Sequence, residues 1–443
     1  AGITINGVKV GGMTREEAKA AVGVQQDAAL GNLILTVAYD DASWQRTGTD
    51  LGVGSNIDEI LDEAGQLART GSFSQRRREA AQIRREGADY TTCIKADESA
   101  LQAFLAEIQA NVDIQPQNAV VEFTPEAEQR FTINPERPGR VTDLAASAEA
   151  VQAALKGGAS NKAALVVQLV EPTYTKEFLE TCTQTRGYFE TEVKGTDNRV
   201  SNVALALKQF NGMVVWPGEE VSFNDTTGER SEENGYKKAA VIAQDKGLED
   251  DLGGGVCQSS TTLYNAMLKA GLQITERHRH SFPSSYVRTG FDAMVNYPSA
   301  DFKFVNNSDG PIFIATSVYN GVAAVTVYGR SLGEGVTIDR ESREVYRSEM
   351  PEYERRVDAQ GQYVQYVDEE YTKVYARQGI QVETYRIWKK DGQVTQEEKL
   401  YTDDYPAITG VIYVGAKERP ADPTPTPAPT GGVPTPDPNA GGE

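Results

Sequence analysis

Apolar positions recur along this chain in three successive rhythms. Over the first 170 residues short apolar stretches alternate with amphipathic segments. ITINGVKV reads as a strand and Gly11-Gly12 as a turn. A helix follows with Thr14 at its N-cap and Glu16 and Glu17 in its first turn. A strand is expected over residues 33–41 and a helix over 57–69. A second helix is expected in DESALQAFLAEIQANV, where Asp97 stands at the cap and Leu101, Phe104, Leu105 and Ile108 share one face. Two strands, a Pro138-Gly139 turn and another helix come next, and AALVVQLV closes the section as a buried-type strand.

From residue 174 to about 330 the rhythm changes to apolar runs broken by Gly, Asn and aromatic residues. Residues 202–210 form an expected helix with Val203, Ala206, Leu207 and Phe210 on one side, capped at Asn211-Gly212. Pro217-Gly218 is a turn and VSFND a short strand. Beyond residue 333 Tyr, Val and Thr alternate with period two, and Asp391-Gly392 is a hairpin turn, so this part is expected to be all-β. The tail is rich in Pro, Thr and Gly and cannot bury a core, so it is expected to be disordered or extended. These patterns predict a multidomain α+β protein. Residues 1–172 form a mixed α/β domain, 173–332 an α+β module, 333–418 an all-β appendage and 419–443 the tail.

Composition narrows the partners. The formal net charge of −20 argues against a nucleic-acid or anionic-membrane partner, both of which require a basic footprint. Arg76, Arg77, Arg78, Arg84 and Arg85 cluster locally and read as a solvated helix face, with a polyanion contact as the alternative. No apolar run reaches the ~18 residues of a membrane-spanning helix. The sequence starts at Ala1 and not at Met, so a signal or anchor segment is expected to have been removed ahead of it, which leaves an anchor as the sole expected route to the membrane. Of the three cysteines, Cys93 and Cys182 are a candidate disulfide in an oxidising compartment, with two separate buried thiols as the alternative.

The chemistry concentrates around the third cysteine. GGGVCQSSTTLYNAML runs from a flexible glycine stretch into a helix and places Cys257 at the helix start, where free N–H groups and the dipole stabilise a thiolate. No Lys-Ser/Thr follows the glycines, so the run does not fit a nucleotide-binding loop. The only two histidines, His278 and His280, follow in ERHRHS and are expected on one face of a strand. Asp292 is the candidate third member, and Asp301 the second choice. Cys, His and Asp in that order occur in transglutaminase-like and related cysteine hydrolase folds. Gly254, Gly255, Gln258, Ser259, Thr261, Arg277 and Tyr286 are candidate binding residues around the thiol. Zinc held by Cys257, the histidines and an Asp lacks the paired Cys or His-x-x-x-His spacing, so no metal and no cofactor are expected. Catalysis, ligand binding without turnover and a structural role all remain open at this point.

These motifs carry a family resemblance. Asn198-Arg199 with Asn202, Pro217-Gly218-Glu219 with Ser222-Phe223-Asn224, Gly228 with Arg230, Gly235 and Tyr236, the run Gly253 to Ala266, Arg277 to Ser281, Tyr286 to Val295 and Asp301 with Phe304 and Asn306 together resemble the VanW family. Met294, Phe291 and Arg288-Thr289 depart from its usual pattern. The N-terminal section resembles the peptidoglycan-binding domain often found ahead of that module, through Gly7-Val8, Gly12, Thr14, Glu17 and Ala18, and more loosely through Pro135, Pro138, Gly139 and Asp143. The β-rich segment is faintly similar to G-five modules. The resemblance implies a bacterial cell-surface protein associated with glycopeptide-resistance gene clusters, with peptidoglycan or a wall peptide as partner. The activity expected is of the Cys-dependent amidase or transpeptidase type, and non-catalytic wall binding or a structural role is the alternative.

Overall fold

The computed structural model describes residues 2–31, 33–156, 161–243 and 247–420. The expected tail therefore lies almost wholly outside the described residues. The chain is a multidomain α+β protein that divides into two compact units. One comprises Ala1–Val121 and Ile133–Phe178, the other Glu122–Thr132 and Leu179–Glu443.

The first unit is built as the local signals dictate. Helix Arg15–Gly31 starts in a reciprocal cap. The Thr14 N–H donates to Glu17 Oε2 at 2.9 Å, and the Glu17 N–H returns to Thr14 Oγ1 at 3.3 Å. Helix Glu98–Val112 is capped by Asp97, which accepts from the Ala100 N–H, and it buries Leu101, Phe104, Leu105 and Ile108 against Leu35, Val37, Val151 and Leu155. Strand Ile34–Tyr39 lies between Lys162–Ala164 and Ala42–Thr47 in a three-stranded sheet. Two expectations change. The helix from Ile57 stops at Gln66, and Ala68 beyond it takes a positive φ of 58° that no helix accommodates. AALVVQLV is split between Lys162–Ala164 and Val167–Val170, and Leu169 is exposed. The arginine-rich helix, Phe73–Glu86, has no buried residue and is held at its start by a Ser72/Gln75 capping box. That is the solvated face the sequence suggested.

In the second unit an antiparallel sheet is ordered Gln184–Glu192, Val322–Gly329, Ile312–Tyr319, Met213–Val215. Helices Asp197–Lys208 and Val256–Lys269 pack on it and on each other. Val203, Ala206, Leu207, Leu263, Ala266 and Met267 meet Ile312, Ile314, Val325 and Val327 in the largest core of the protein. The first of these helices begins at Asp197, five residues earlier than the apolar face alone indicated, because Thr196 caps the Arg199 N–H. VSFND is divided: Glu220–Ser222 is a strand and Phe223–Thr227 a short helix, with Ser222 accepting from the Asp225 N–H. A second sheet joins Glu220–Ser222, Lys303–Val305 and Gln273–Glu276.

The C-terminal module is all-β. Val336–Arg347, Ile380–Lys390 and Gln393–Tyr405 form one antiparallel sheet, and Glu354–Asp358, Val411–Gly415 and Glu370–Val374 a second. Asp391 and Gly392 take positive φ of 50° and 80° at the hairpin between Ile380–Lys390 and Gln393–Tyr405, as the Asp-Gly pair predicts. No disulfide forms among the described residues: Cys182 is buried in the second unit, while Cys93 belongs to the first.

Candidate functional site

The glycine run forms a tight turn onto helix Val256–Lys269. A Cβ at Gly254 would collide with the Ala239 carbonyl, and Gly255 caps the helix at φ 108°. Asn202 anchors this turn from the neighbouring helix, donating to the carbonyls of Lys237 (2.8 Å) and Gly254 (3.0 Å) and accepting the Lys237 N–H. Cys257 follows in the first helical turn. The N–H groups of Val256 and Gln258 on either side are taken by the carbonyls of Gly253 and Gly255, at 3.0 and 2.8 Å. That of Cys257 meets no backbone acceptor among the described residues. The thiol itself reaches the Val295 carbonyl at 3.4 Å.

The helix is polar on a face that is nevertheless buried, and the reason is what it holds. Ser260 Oγ donates to the Ala293 carbonyl at 2.6 Å, and the Ala293 N–H donates to Thr261 Oγ1 at 2.9 Å. Asn265 Nδ2 donates to the Phe291 carbonyl at 2.8 Å. These bonds fasten the backbone on both sides of Asp292 to the Cys257 helix. Ser260, Thr261 and Asn265 are tolerated in this buried face because each has a partner.

Asp292 in turn holds His280. Its Oδ2 accepts the His280 backbone N–H and Nδ1–H, both at 2.7 Å. With Nδ1 occupied, Nε2 is the ring nitrogen left for the sulfur, and the two groups shift each other. Burial pushes the Cys257 thiol up, but the neighbouring His280, with Arg230 beyond, brings it below its ordinary value. Burial favours the neutral imidazole, yet Asp292 and Cys257 raise His280 to about 9. Burial also opposes the Asp292 carboxylate, and His280 and Arg277 overcome that to hold it at about 2. The three groups thus favour one another's charged forms, with Asp292 and Cys257 lowered and His280 raised.

The remaining sequence candidates occupy other places. The last strand before the histidines ends at Glu276, so His278 and His280 do not share a strand face. His278 is partly exposed and pairs with Glu276 at 2.9 Å, away from the buried His280. Asp301 caps the Phe223 helix region, accepting from Ser222 Oγ and the Asn224 N–H. Gln258 spends its amide on Arg199, Thr191 and the Glu192 carbonyl, and Ser259 bonds the Val203 carbonyl. Arg277 is buried, with Nη1 donating to both oxygens of Asp403 (2.7 and 2.8 Å) and Nη2 reaching Asp292. The Tyr286 hydroxyl is buried, with the charge of Cys257 and burial itself raising its proton affinity.

Sequence reasoning passed over Arg230 as an active group. Its guanidinium, fixed by the Gly228 carbonyl and Asn224 Oδ1 at 2.6 and 2.7 Å, contributes positive charge at Cys257. The signal was its place in the GxRxxxxGY motif. Among the described residues no three His, Cys, Asp or Glu side chains cluster as metal ligands, and no helix is long and apolar enough to cross a membrane.

Comparison with known proteins agrees with this organisation. Residues 198–328 match the family model described as "VanW like protein", and residues 44–164 the one described as "Putative peptidoglycan binding domain". The chain is 32% identical over 263 residues to the uncharacterized protein YoaR of Bacillus subtilis (strain 168), an alignment covering 58% of this chain and 84% of YoaR. It is 33% identical over 118 residues to the vancomycin B-type resistance protein VanW of Enterococcus faecalis (strain ATCC 700802 / V583), covering 26% of this chain and 42% of that protein. Among solved structures, the IgA1 protease G5 domain is matched at 17% identity and TM-score 0.14, over 19% of this chain and 92% of that one. HP0197-G5 is matched at 18% identity and TM-score 0.11, over 18% and 97%. With most of YoaR aligned and the VanW model spanning Cys257, His280 and Asp292, the chain belongs to the VanW family and carries a peptidoglycan-binding domain ahead of its VanW-like domain.

Proposed function

We propose that this wall-associated protein works on the outer side of the membrane as a Cys-dependent acyl-transfer enzyme, cleaving or exchanging an amide bond of a peptidoglycan stem peptide or crosslink. The observation that carries the reading is the series Cys257, His280, Asp292, with the base oriented through two bonds to one carboxylate oxygen.

The chemistry follows from the positions. The Cys257 thiolate adds to the amide carbonyl carbon, and the C–S bond forms as the carbonyl oxygen gains negative charge. The Cys257 N–H, at the positive end of a helix of 14 residues, is placed to stabilise that oxygen. His280 Nε2–H protonates the leaving amine as the C–N bond breaks, which leaves a thioester and a neutral imidazole. Water, or a second amine, then gives its proton to His280 while its oxygen or nitrogen attacks the thioester. The C–S bond breaks and the thiolate and imidazolium are restored. Asp292 keeps the ring in the tautomer this sequence needs.

The test uses purified sacculi and the full chain. Wild-type protein is expected to release muropeptide products that Cys257→Ala does not, while both sediment with sacculi alike. Equal product profiles from wild type and Cys257→Ala would remove catalysis and leave wall binding as the function.

A further inference from the structure

We infer that the C-terminal β-module completes the thiol site, with Tyr405 and Asp403 as positioning residues for Asp292. The inference rests on the reading of Cys257, His280 and Asp292 as one functional series. It adds to it that the series does not end at Asp292, and that its last members lie outside the segment matched by the VanW model, residues 198–328.

The two oxygens of Asp292 are divided between two parts of the fold. Oδ2 is given wholly to His280. Oδ1 accepts the Tyr405 hydroxyl at 2.5 Å and Arg277 Nη2 at 3.2 Å. Tyr405 is the last residue of strand Gln393–Tyr405 and is completely buried. Its oxygen also accepts the Gly290 N–H at 3.2 Å, so one phenol grips both the carboxylate and the backbone leading to it. Burial and the charge of Asp292 raise the phenol well above its ordinary range, so it stays a donor at neutral pH. Arg277 is fixed in the same way from the module. Asp403, two residues before Tyr405 on the same strand and face, accepts from Nη1 with both its oxygens, and Arg277 then donates to the carbonyls of Asp292 (2.6 Å) and Gly290 (3.1 Å). A Cβ at Gly290 would strike Thr384 of the adjacent strand Ile380–Lys390, so the Asp292 segment lies directly against the module.

Leu400 and Tyr401 join the module to the main core by apolar packing, and Tyr405 and Asp403 add to that joint a neutral donor and a charge-compensated arginine for the carboxylate that orients the base. Among the charged and titratable groups facing the series, Asp292 meets His280, Arg277, Tyr405, Asp403 and Tyr286, Cys257 meets His280, Arg230 and Tyr286, and Arg279 lies over the Tyr405 ring. Losing the Tyr405 donor frees Asp292 to turn, weakens its hold on the imidazolium and lets the thiol drift back up.

The test is the pH midpoint of iodoacetamide alkylation, read by mass spectrometry on the peptide carrying Cys257 in the full chain, so no substrate is required. Tyr405→Phe is expected to raise the midpoint by up to roughly one pH unit, since a hydrogen bond to a charged group is worth at least that much at the carboxylate and only part of it passes through His280 to the thiol. Asp292→Asn is expected to raise it further, and Tyr405→Phe added to Asp292→Asn to change nothing more, because the phenol acts through the carboxylate. If Tyr405→Phe does not fold, Asp403→Asn, which still accepts from Arg277, takes its place with the same expectation. A Tyr405→Phe midpoint equal to wild type, or one that shifts equally with and without Asp292, overturns the inference. A wild-type midpoint at the ordinary thiol value and indifferent to Asp292→Asn overturns it together with the reading it rests on. Coupled shifts without muropeptide release would overturn only the proposed catalysis.

Discussion

Nδ1 of His280 lies 2.7 Å from Oδ2 of Asp292, and that same oxygen accepts the backbone N–H of His280. A ring held at both its nitrogen and its own peptide has one orientation and one tautomer. That constraint makes Cys257 more than a buried thiol, and most of its consequences are measurable without knowing the substrate.

The thiol should alkylate readily at neutral pH, because His280 holds it below the ordinary thiol value. His280→Gln removes that support and leaves burial to push the thiol up. The iodoacetamide rate of Cys257 at pH 7 is then expected to fall by about tenfold or more, one pKa unit being a factor of ten in thiolate. An unchanged rate would mean that the ring and the sulfur do not communicate.

Stability should depend on pH with two opposite limbs. Asp292 binds its proton less tightly when folded (about 2) than its ordinary value of 3.8, so its contribution is present above 3.8 and is lost as pH falls through 2. His280 binds its proton more tightly when folded (about 9, against 6.5), so its contribution is full below 6.5 and is lost as pH rises through 9. Thermal unfolding across pH should therefore show the acid limb of Asp292 directly, while on the alkaline side the loss from His280 is opposed by the lowered Cys257 thiol, whose contribution grows as pH rises toward 9. Asp292→Asn should flatten the acid limb.

Arg277 sits between two buried carboxylates. Arg277→Leu leaves Asp403 without its cation and Asp292 with His280 alone, and is expected to cost about 3–5 kcal/mol in urea unfolding, the range for breaking a buried pair from one side. A loss below 1 kcal/mol would show that water reaches Asp403 and Asp292.

Gly254→Ala places a methyl group against the Ala239 backbone, which cannot yield as a flexible side chain does. A loss of about 1–3 kcal/mol is expected, together with slower Cys257 alkylation as the turn that presents the helix start is displaced.

Replacing Arg76, Arg77 and Arg78 together by Gln should leave thermal stability within about 0.5 kcal/mol per substitution, since no residue of their helix is buried.

How much of this could be read from the chain depends on range. Thr14, Asp97 and Asp391-Gly392 were legible because caps and tight turns are local chemistry. Cys257 was legible as a helix-start thiol for the same reason, and Asp292 through its motif. Gln258, Ser259 and Thr261 were read as lining a pocket, because polar residues in a motif suggest a ligand, yet their partners are backbone groups and side chains of the protein itself. His278 and His280 were expected on one strand face. The strand ends at Glu276, and a period-two argument fails once the chain leaves the sheet. Asp403 and Tyr405 carried no signal at all. Alternation in a β-rich segment tells which residues face inward but not what they meet, and their partners lie more than a hundred residues earlier.

The pairing of Gln184–Glu192 with Val322–Gly329 also dictates an order of events during folding. Gln184 is matched to Gly329, so Cys257, His280 and Asp292 all lie inside the loop of chain that these two strands close. Closing so long a loop is slow, because its entropic cost precedes the contacts that repay it. The refolding chain can form helices Asp197–Lys208 and Val256–Lys269 early, but the sheet that supports them must wait for its most distant strand, and Tyr405 arrives later still in the sequence. Recovery of Cys257 reactivity would therefore mark the completion of folding rather than its onset, and would lag behind the return of helical signal.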